Sequence, residues 1–291
     1  MGRRILATTA VVAASAVVAV LVGRARESSR AARLVDALLE GMPRNATARV
    51  DFATFTDLPL PVARYFRHVL TDGQSLVEVA RMQQSGELRT STAIDDWMEF
   101  SACQTIVPPA VGFVWNARIR TPFATHVRVL DSYAAGVGSG RASLLSTVAL
   151  ASEAGAPELN SGALHRYLAE AVWCPTALLP ESGVAWSPID DHSALATLCD
   201  RGTTVSLKFR FNDIGEVTGI FSDGRFGRFD GVFRRVPWQG RFREYHEQSG
   251  MRVPRYGEVG WHVDGVLELV WKGRVISARY EPRPACMSRH S

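Results

Sequence analysis

Arg166 and Glu170 stand four residues apart in "LHRYLAEAVWCP", a spacing that puts both on one face of a helix. On a surface they form an ion pair worth a few tenths of a kcal/mol. Turned toward a cavity, the same two groups become its polar anchors. A few residues on, Trp173-Cys174-Pro175 raises the question of a reactive thiol. Redox chemistry of the Cys-x-x-Cys kind needs a second cysteine at 177, where the chain has alanine. A lone nucleophilic cysteine needs a neighbouring base or cation to lower its pKa. The plainer reading is that Pro175 ends a helix at Cys174 and that Trp173 packs its last turn against a sheet. Glu170, Glu258 and His262 are the residues from which a hydrolytic site could be assembled.

Other candidates carry less. Asp190-Asp191-His192 places potential metal ligands side by side, but adjacent residues rarely converge on one ion. Asp190 reads instead as the N-cap of a helix over 190–199. Gly136 and Gly138 fit the first two positions of a dinucleotide-binding loop, yet the third falls on Arg141. That segment reads as a flexible loop within an antiparallel pattern. His-Glu-x-x-His and Gly-x-Ser-x-Gly do not occur. The expectation is therefore no catalytic residue, no metal ligand and no cofactor.

One segment is both basic and aromatic. Residues 224–256 hold eight arginines and three acids. Arg241 and Arg243 flank Phe242, the alternation of a strand whose arginines are solvated. Arg234, Arg235, Arg241 and Arg243 are the candidates for contact with an anionic membrane surface, where each arginine contributes on the order of 1 kcal/mol. Nucleic acid is not expected, because the net charge of +4 is concentrated elsewhere. Residues 1–33 alone contain six arginines and one acid, which leaves the rest of the chain near neutral.

The N-terminus sets the first boundary. Ile5 to Gly23 is an uncharged, mostly apolar run of 19 residues between arginines, roughly 28 Å long as a helix. It reads as an uncleaved single-pass membrane anchor, with residues 1–33 as anchor and basic flank. A cleaved leader is the rival, although signal h-regions are shorter. Arg24, Arg26, Arg30 and Arg33 after the run lean by the positive-inside rule toward a cytoplasmic domain, but the fold described below places the expectation on the extracytoplasmic side of the cell membrane. Cys103, Cys174, Cys199 and Cys286 allow three pairings, none with metal or redox spacing.

The elements that must position these groups follow from periodicity. Leu34, Leu38 and Leu39 share a helical face that Gly41 and Pro43 end, within a helical linker over 34–72. Pro61 starts a second helix carrying Val62, Tyr65, Phe66 and Val69. Four β-branched and aromatic runs follow, then helices over 160–173 and 190–199. In "VSLKFRF", Val205, Leu207, Phe209 and Phe211 alternate with polar residues, and "EVGWHV" does the same. Asp264-Gly265 marks a hairpin turn, and Lys272-Gly273 a further one. The fold class is α+β: an N-terminal membrane-anchor helix, then one large curved antiparallel β-sheet, half-barrel-like, covered by central helices. The β domain covers 73–282 with helices inserted at 160–199, and 283–291 reads as a disordered tail.

The landmarks "EAVWCPTALLP" at 170–180, "WSPID" at 186–190, "VPWQGRF" at 236–242 and "YGEVGW" at 256–261 resemble a bacterial domain family of unknown function. The likeness covers most of residues 55–281 and brings no catalytic residues with it. The order of strands, central helices and meander is also similar to the lipoprotein-carrier half-barrels. In those a curved sheet wraps apolar cargo beneath a helical lid, outside the cytoplasm; that likeness is architectural, and fold does not fix function. The anchor, the seven tryptophans and the lack of a catalytic signature lead to the expectation of a binding module for a lipid or other hydrophobic ligand. An envelope hydrolase and a non-catalytic interaction protein are the alternatives. The cavity candidates are Arg166, Glu170, Trp173, Trp186, Trp238, Glu258 and Trp261.

Overall fold

Period-two alternation builds most of this chain. In Thr203–Phe211 the four apolar side chains are buried while Ser206, Lys208 and Arg210 are not, which commits the strand to a sheet with one face against a core. The computed structural model describes residues 2–43, 49–122 and 125–282, with the side chains of 2–14, 16 and 17 outside the description. Its described strands form a single antiparallel sheet of 13 strands. The first six are β1 (Val77–Leu88), β2 (Met98–Val107), β3 (Gly112–Thr121), β4 (Thr125–Ala134), β5 (Val137–Leu144) and β6 (Val148–Ala154). The other seven are β7 (Val184–Asp190), β8 (Ser193–Asp200), β9 (Thr203–Phe211), β10 (Val217–Phe229), β11 (Val232–Gln248), β12 (Met251–Val263) and β13 (Val266–Pro282). Both sets are meanders, and they join in the middle of the sheet where β1 pairs with β13.

The helices are α1 (Gly2–Glu40), α2 (Leu60–Val69) and α3 (Pro157–Glu170), the last continued by short 3-10 turns to Ser182. The stretch from α3 to Ser182 connects β6 to β7, the two edges of the sheet. It can do so only because the sheet curls. α3 touches β4 and β5 near one edge and β9 and β10 near the other. Tyr133 on β4 donates its hydroxyl to Asp200 on β8 at 2.8 Å. A flat sheet would hold those strands far apart, at nearly 5 Å per strand. The result is a half-barrel with α3 laid along its concave side.

Several expectations need correction. Residues 193–200 are strand β8, not helix: Ala194, Ala196 and Leu198 are buried at alternate positions. The inserted helical segment thus ends at Ser182 rather than at 199. Asp190 caps no helix; its carboxylate accepts the His192 amide at 2.9 Å in the β7–β8 turn. The glycine-rich segment is no loop but two strands around a tight turn, with positive φ at Ala135 and Gly136. Lys272-Gly273 lies inside β13 and makes no turn. Gly273 is there for proximity, since a Cβ would stand 2.7 Å from the Trp271 ring.

The N-terminal region also differs. Among the described residues, no helix is long and apolar enough to cross a membrane, and the anchor expectation finds no support here. Most side chains of the Ile5–Gly23 run lie outside the described residues. The far half of α1 docks on the outer face of the sheet. Leu38 is buried with Val79, Val107, Val114 and Leu130, and Glu27 pairs with Arg30 and Arg141. Residues 34–42 therefore belong to the folded body rather than to a linker. Cys103, Cys174 and Cys199 are free thiols, while Cys286 and the expected disordered tail lie outside the described residues.

Candidate functional site

The two ends of the half-barrel are filled differently. At the end formed by the β7–β8, β9–β10 and β11–β12 turns, α2 inserts its apolar face. Arg64 donates to the Asp191 carbonyl and Thr71 to the Gly250 carbonyl. Tyr65, Phe66, Trp186, Phe209 and Phe211 pack ring against ring there, with centroids 5.1–6.3 Å apart. Toward the opposite end the concave face encloses a cavity of about 320 Å³, within the usual range of ligand sites.

Five tryptophans border this cavity: Trp115, Trp173, Trp238, Trp261 and Trp271. Strand parity brings them inward. Trp238 sits directly opposite Trp261 across β11 and β12, and Phe242 and Gly257 share that face. Glycines make room for the rings. A Cβ on Gly227 would stand 2.7 Å from the Trp261 ring, and one on Gly257 2.9 Å from Trp173. Trp173 also meets Phe242 and Trp271 edge-on.

Its charged groups come from the helix, from strands and from Arg89 just past β1, which pairs with Glu268. Arg166 donates to Glu170 at 2.7 Å and to Asp131 at 2.9 Å, and its guanidinium lies over Phe113 and Trp115. Burial disfavours that cation, but Glu170 and Asp131 outweigh it and hold the Arg166 pKa above the ordinary range. Desolvation pushes the Asp131 carboxyl up. The second Glu170 oxygen accepts from Gln104. Gln104 in turn accepts from Gln84 at 2.6 Å, and Gln84 from the Trp115 indole at 2.9 Å. With both carboxylate oxygens occupied, Glu170 is an anchor rather than a free base.

Arg225 differs from Arg166. A register shift between Ser222 and Arg225 interrupts β10 against β11. Such a bulge reverses which side chains face inward beyond it. Ile220 and Ser222 are inward before the bulge; Arg225 and Gly227 are inward after it. Arg235 donates to the Gly224 carbonyl at the bulge. The Arg225 guanidinium lies 4.6 Å from the Trp238 ring centroid and 5.1 Å from that of Trp261, and its Nε donates to the Gly162 carbonyl.

Six of the seven cavity candidates border this space: Arg166, Glu170, Trp173, Trp238, Glu258 and Trp261. Trp186 does not; it belongs to the solid end, where its indole donates to the Leu178 carbonyl. The Glu258 carboxylate is turned away from Glu170. It takes bonds from Tyr256 and Arg241, which alternate with inward-facing Gly257 and Phe242 and so stand on the outer face. His262, bonded to Gln239, is on that outer face too. The three residues suspected of hydrolysis do not converge. Cys174 is fully buried, and burial pushes its thiol up to about 12, which leaves no thiolate for chemistry.

The four surface arginines divide. Arg234 and Arg235 are exposed near the tip of the β10–β11 hairpin, beside exposed Val232 at the open end. Arg241 and Arg243 are committed to Glu258, and Arg243 also stacks 3.8 Å over Tyr256. Asp131, Trp115, Trp271 and Arg225 were not singled out from sequence. The inward parity of Trp115 was readable in "GFVWNARIR"; the bulge that aims Arg225 left no such trace.

Residues 56–280 match the model of DUF6920, a family of unknown function, and the chain belongs to that family. No curated protein matches the sequence. Among solved structures, the chain is similar to a LolA superfamily protein, NE2245 from Nitrosomonas europaea. Identity is 8%, coverage is 77% of this chain and 93% of that one, and the TM-score is 0.35. It is also similar to a β-barrel-like protein of domain family DUF1849 from Brucella abortus. There identity is 9%, coverage is 72% and 99%, and the TM-score is 0.24.

Proposed function

We propose that this DUF6920 member is a binding protein that holds a hydrophobic ligand, of lipid type, in the tryptophan-walled cavity. One observation carries the reading: about 320 Å³ stays open between aromatic side chains that elsewhere in the same half-barrel close up on one another. Empty apolar space forfeits packing energy, so a void with this lining is what an apolar occupant would repay. Glu170, which borders it, serves positioning: Arg166 occupies one of its carboxylate oxygens and Gln104 the other. An extracytoplasmic placement, expected from the carrier-like architecture, goes with this reading, and an active alkaline phosphatase fusion at the C-terminus would support it.

The direct test is organic extraction of protein purified without detergent, followed by mass spectrometry. A ligand recovered at close to one per chain is expected. Protein that is always empty, and that takes up no apolar fluorescent probe, would end the proposal.

A further inference from the structure

Charge in the cavity is not evenly matched. The Arg166 cation has two carboxylates, Glu170 and Asp131, both within 2.9 Å. Arg225 lines the same space and forms no ion pair among the described residues. Its Nε is used by the Gly162 carbonyl, and its terminal nitrogens make no hydrogen bond there. Two tryptophan faces, Trp238 and Trp261, hold its guanidinium in place. Burial pulls the Arg225 pKa down to about 10, so the group is still a cation at neutral pH. Arg225 is half-buried, and a partly desolvated cation with open donors is costly unless something completes it. An acidic group on the ligand does so by charge-assisted, geometrically forked hydrogen bonds.

Resting on the cavity reading above, we infer that the ligand is an anionic amphiphile, its apolar body against the tryptophans and a singly charged head on Arg225. The charge state follows from the neighbours. The three arginines bordering the space (Arg89, Arg166, Arg225) and its three carboxylates (Asp131, Glu170, Glu258) sum to zero, so one added negative charge is tolerated where two would meet the paired carboxylates.

Dodecanoate, dodecan-1-ol and dodecyl phosphate share one tail and differ in the head. Their affinities for the intact protein at pH 8 can be measured by competition against an apolar fluorescent probe. Dodecanoate should bind at least tenfold more tightly than dodecan-1-ol, as a hydrogen-bonded charge pair requires. Arg225→Met, similar in length, should lower dodecanoate affinity about tenfold more than it lowers dodecan-1-ol affinity. Equal affinities for acid and alcohol would overturn the inference while leaving a hydrophobic-ligand protein in place. Dodecyl phosphate, mostly dianionic at that pH, binding more tightly than dodecanoate would overturn the single charge. If no probe displaces, or none binds, the cavity reading fails and the inference with it. The head-group comparison uses unaltered protein, so it stands whether or not Arg225→Met folds.

Discussion

The solid and hollow ends of one half-barrel are built from the same kinds of side chain. Tyr65, Phe66, Trp186, Phe209 and Phe211 close on one another around α2. Trp115, Trp173, Trp238, Trp261 and Trp271 stand around a void. Aromatic content does not separate them. What does is the plug: a helix fills one end, whereas the other receives Arg166 with Asp131 and Glu170, a cluster that cannot collapse without losing its ion pairs, and Arg225 beside it. Buried charge holds the space open, and the aromatic rings line it.

The widest contrast should appear on truncation. Phe66→Ala removes a fully buried ring from the solid end and should cost about 3–5 kcal/mol of unfolding free energy, read from urea denaturation. Trp238→Ala, on the void, should cost clearly less while abolishing retention of an apolar probe. Equal costs would mean that the hollow end is packed in solution.

Next is the charge that keeps the space open. Glu170→Ala leaves Arg166 with Asp131 alone and Gln104 without its acceptor. A loss of about 2–3 kcal/mol is expected, below the figure for a fully buried pair because these groups border a cavity. Replacing Arg166 by Met in the same protein should recover part of it. No recovery would show that the loss is one of packing.

Acid should act through His165. Burial lowers its pKa from 6.5 to about 4. Its Nδ1 donates to the Ser161 carbonyl, and Nε2 faces the Ser222 hydroxyl at 3.5 Å. Because the folded pKa is the lower one, the unfolded chain binds the extra proton between about pH 6.5 and 4. Stability is complete above that window and falls through it as the pH drops, by about 2 kcal/mol between pH 7 and 5. His165→Gln should flatten that part of the profile. An unchanged slope would assign it to other groups.

The smallest effect is the most discriminating. Ala196→Leu adds volume where β8 is fully buried and should cost about 1–3 kcal/mol. Ala169→Leu adds the same volume at the wall of the void. Stability there should change by less than about 1 kcal/mol, with probe binding weakened at least tenfold.

Much of the architecture was legible from local pattern. Alternation in "VSLKFRF" and "EVGWHV" identified strands whose apolar faces are buried, and the Arg166–Glu170 spacing identified a real pair. The misreadings share one cause. Residues 190–199 and Lys272-Gly273 carry turn and cap residues whose local meaning was overridden by neighbours: β9 pairing in the first case, the Trp271 ring in the second. Trp186 illustrates the same limit, since a tryptophan near a proline-rich turn looks alike whether it lines a cavity or fills a core.

By itself the sequence determined the curved antiparallel sheet with a few helices, the inward parity of most strands and the supply of tryptophans, because those depend on side-chain period and composition along one segment. Only the tertiary structure decided which aromatics surround a void and which close up. It also decided that Glu258 and His262 turn outward, and that Arg225 points inward with no ion pair among the described residues. Those outcomes depend on how a 13-stranded sheet curls and on a single bulge in β10. A one-residue change of register reverses a side chain's direction, and no local pattern records it.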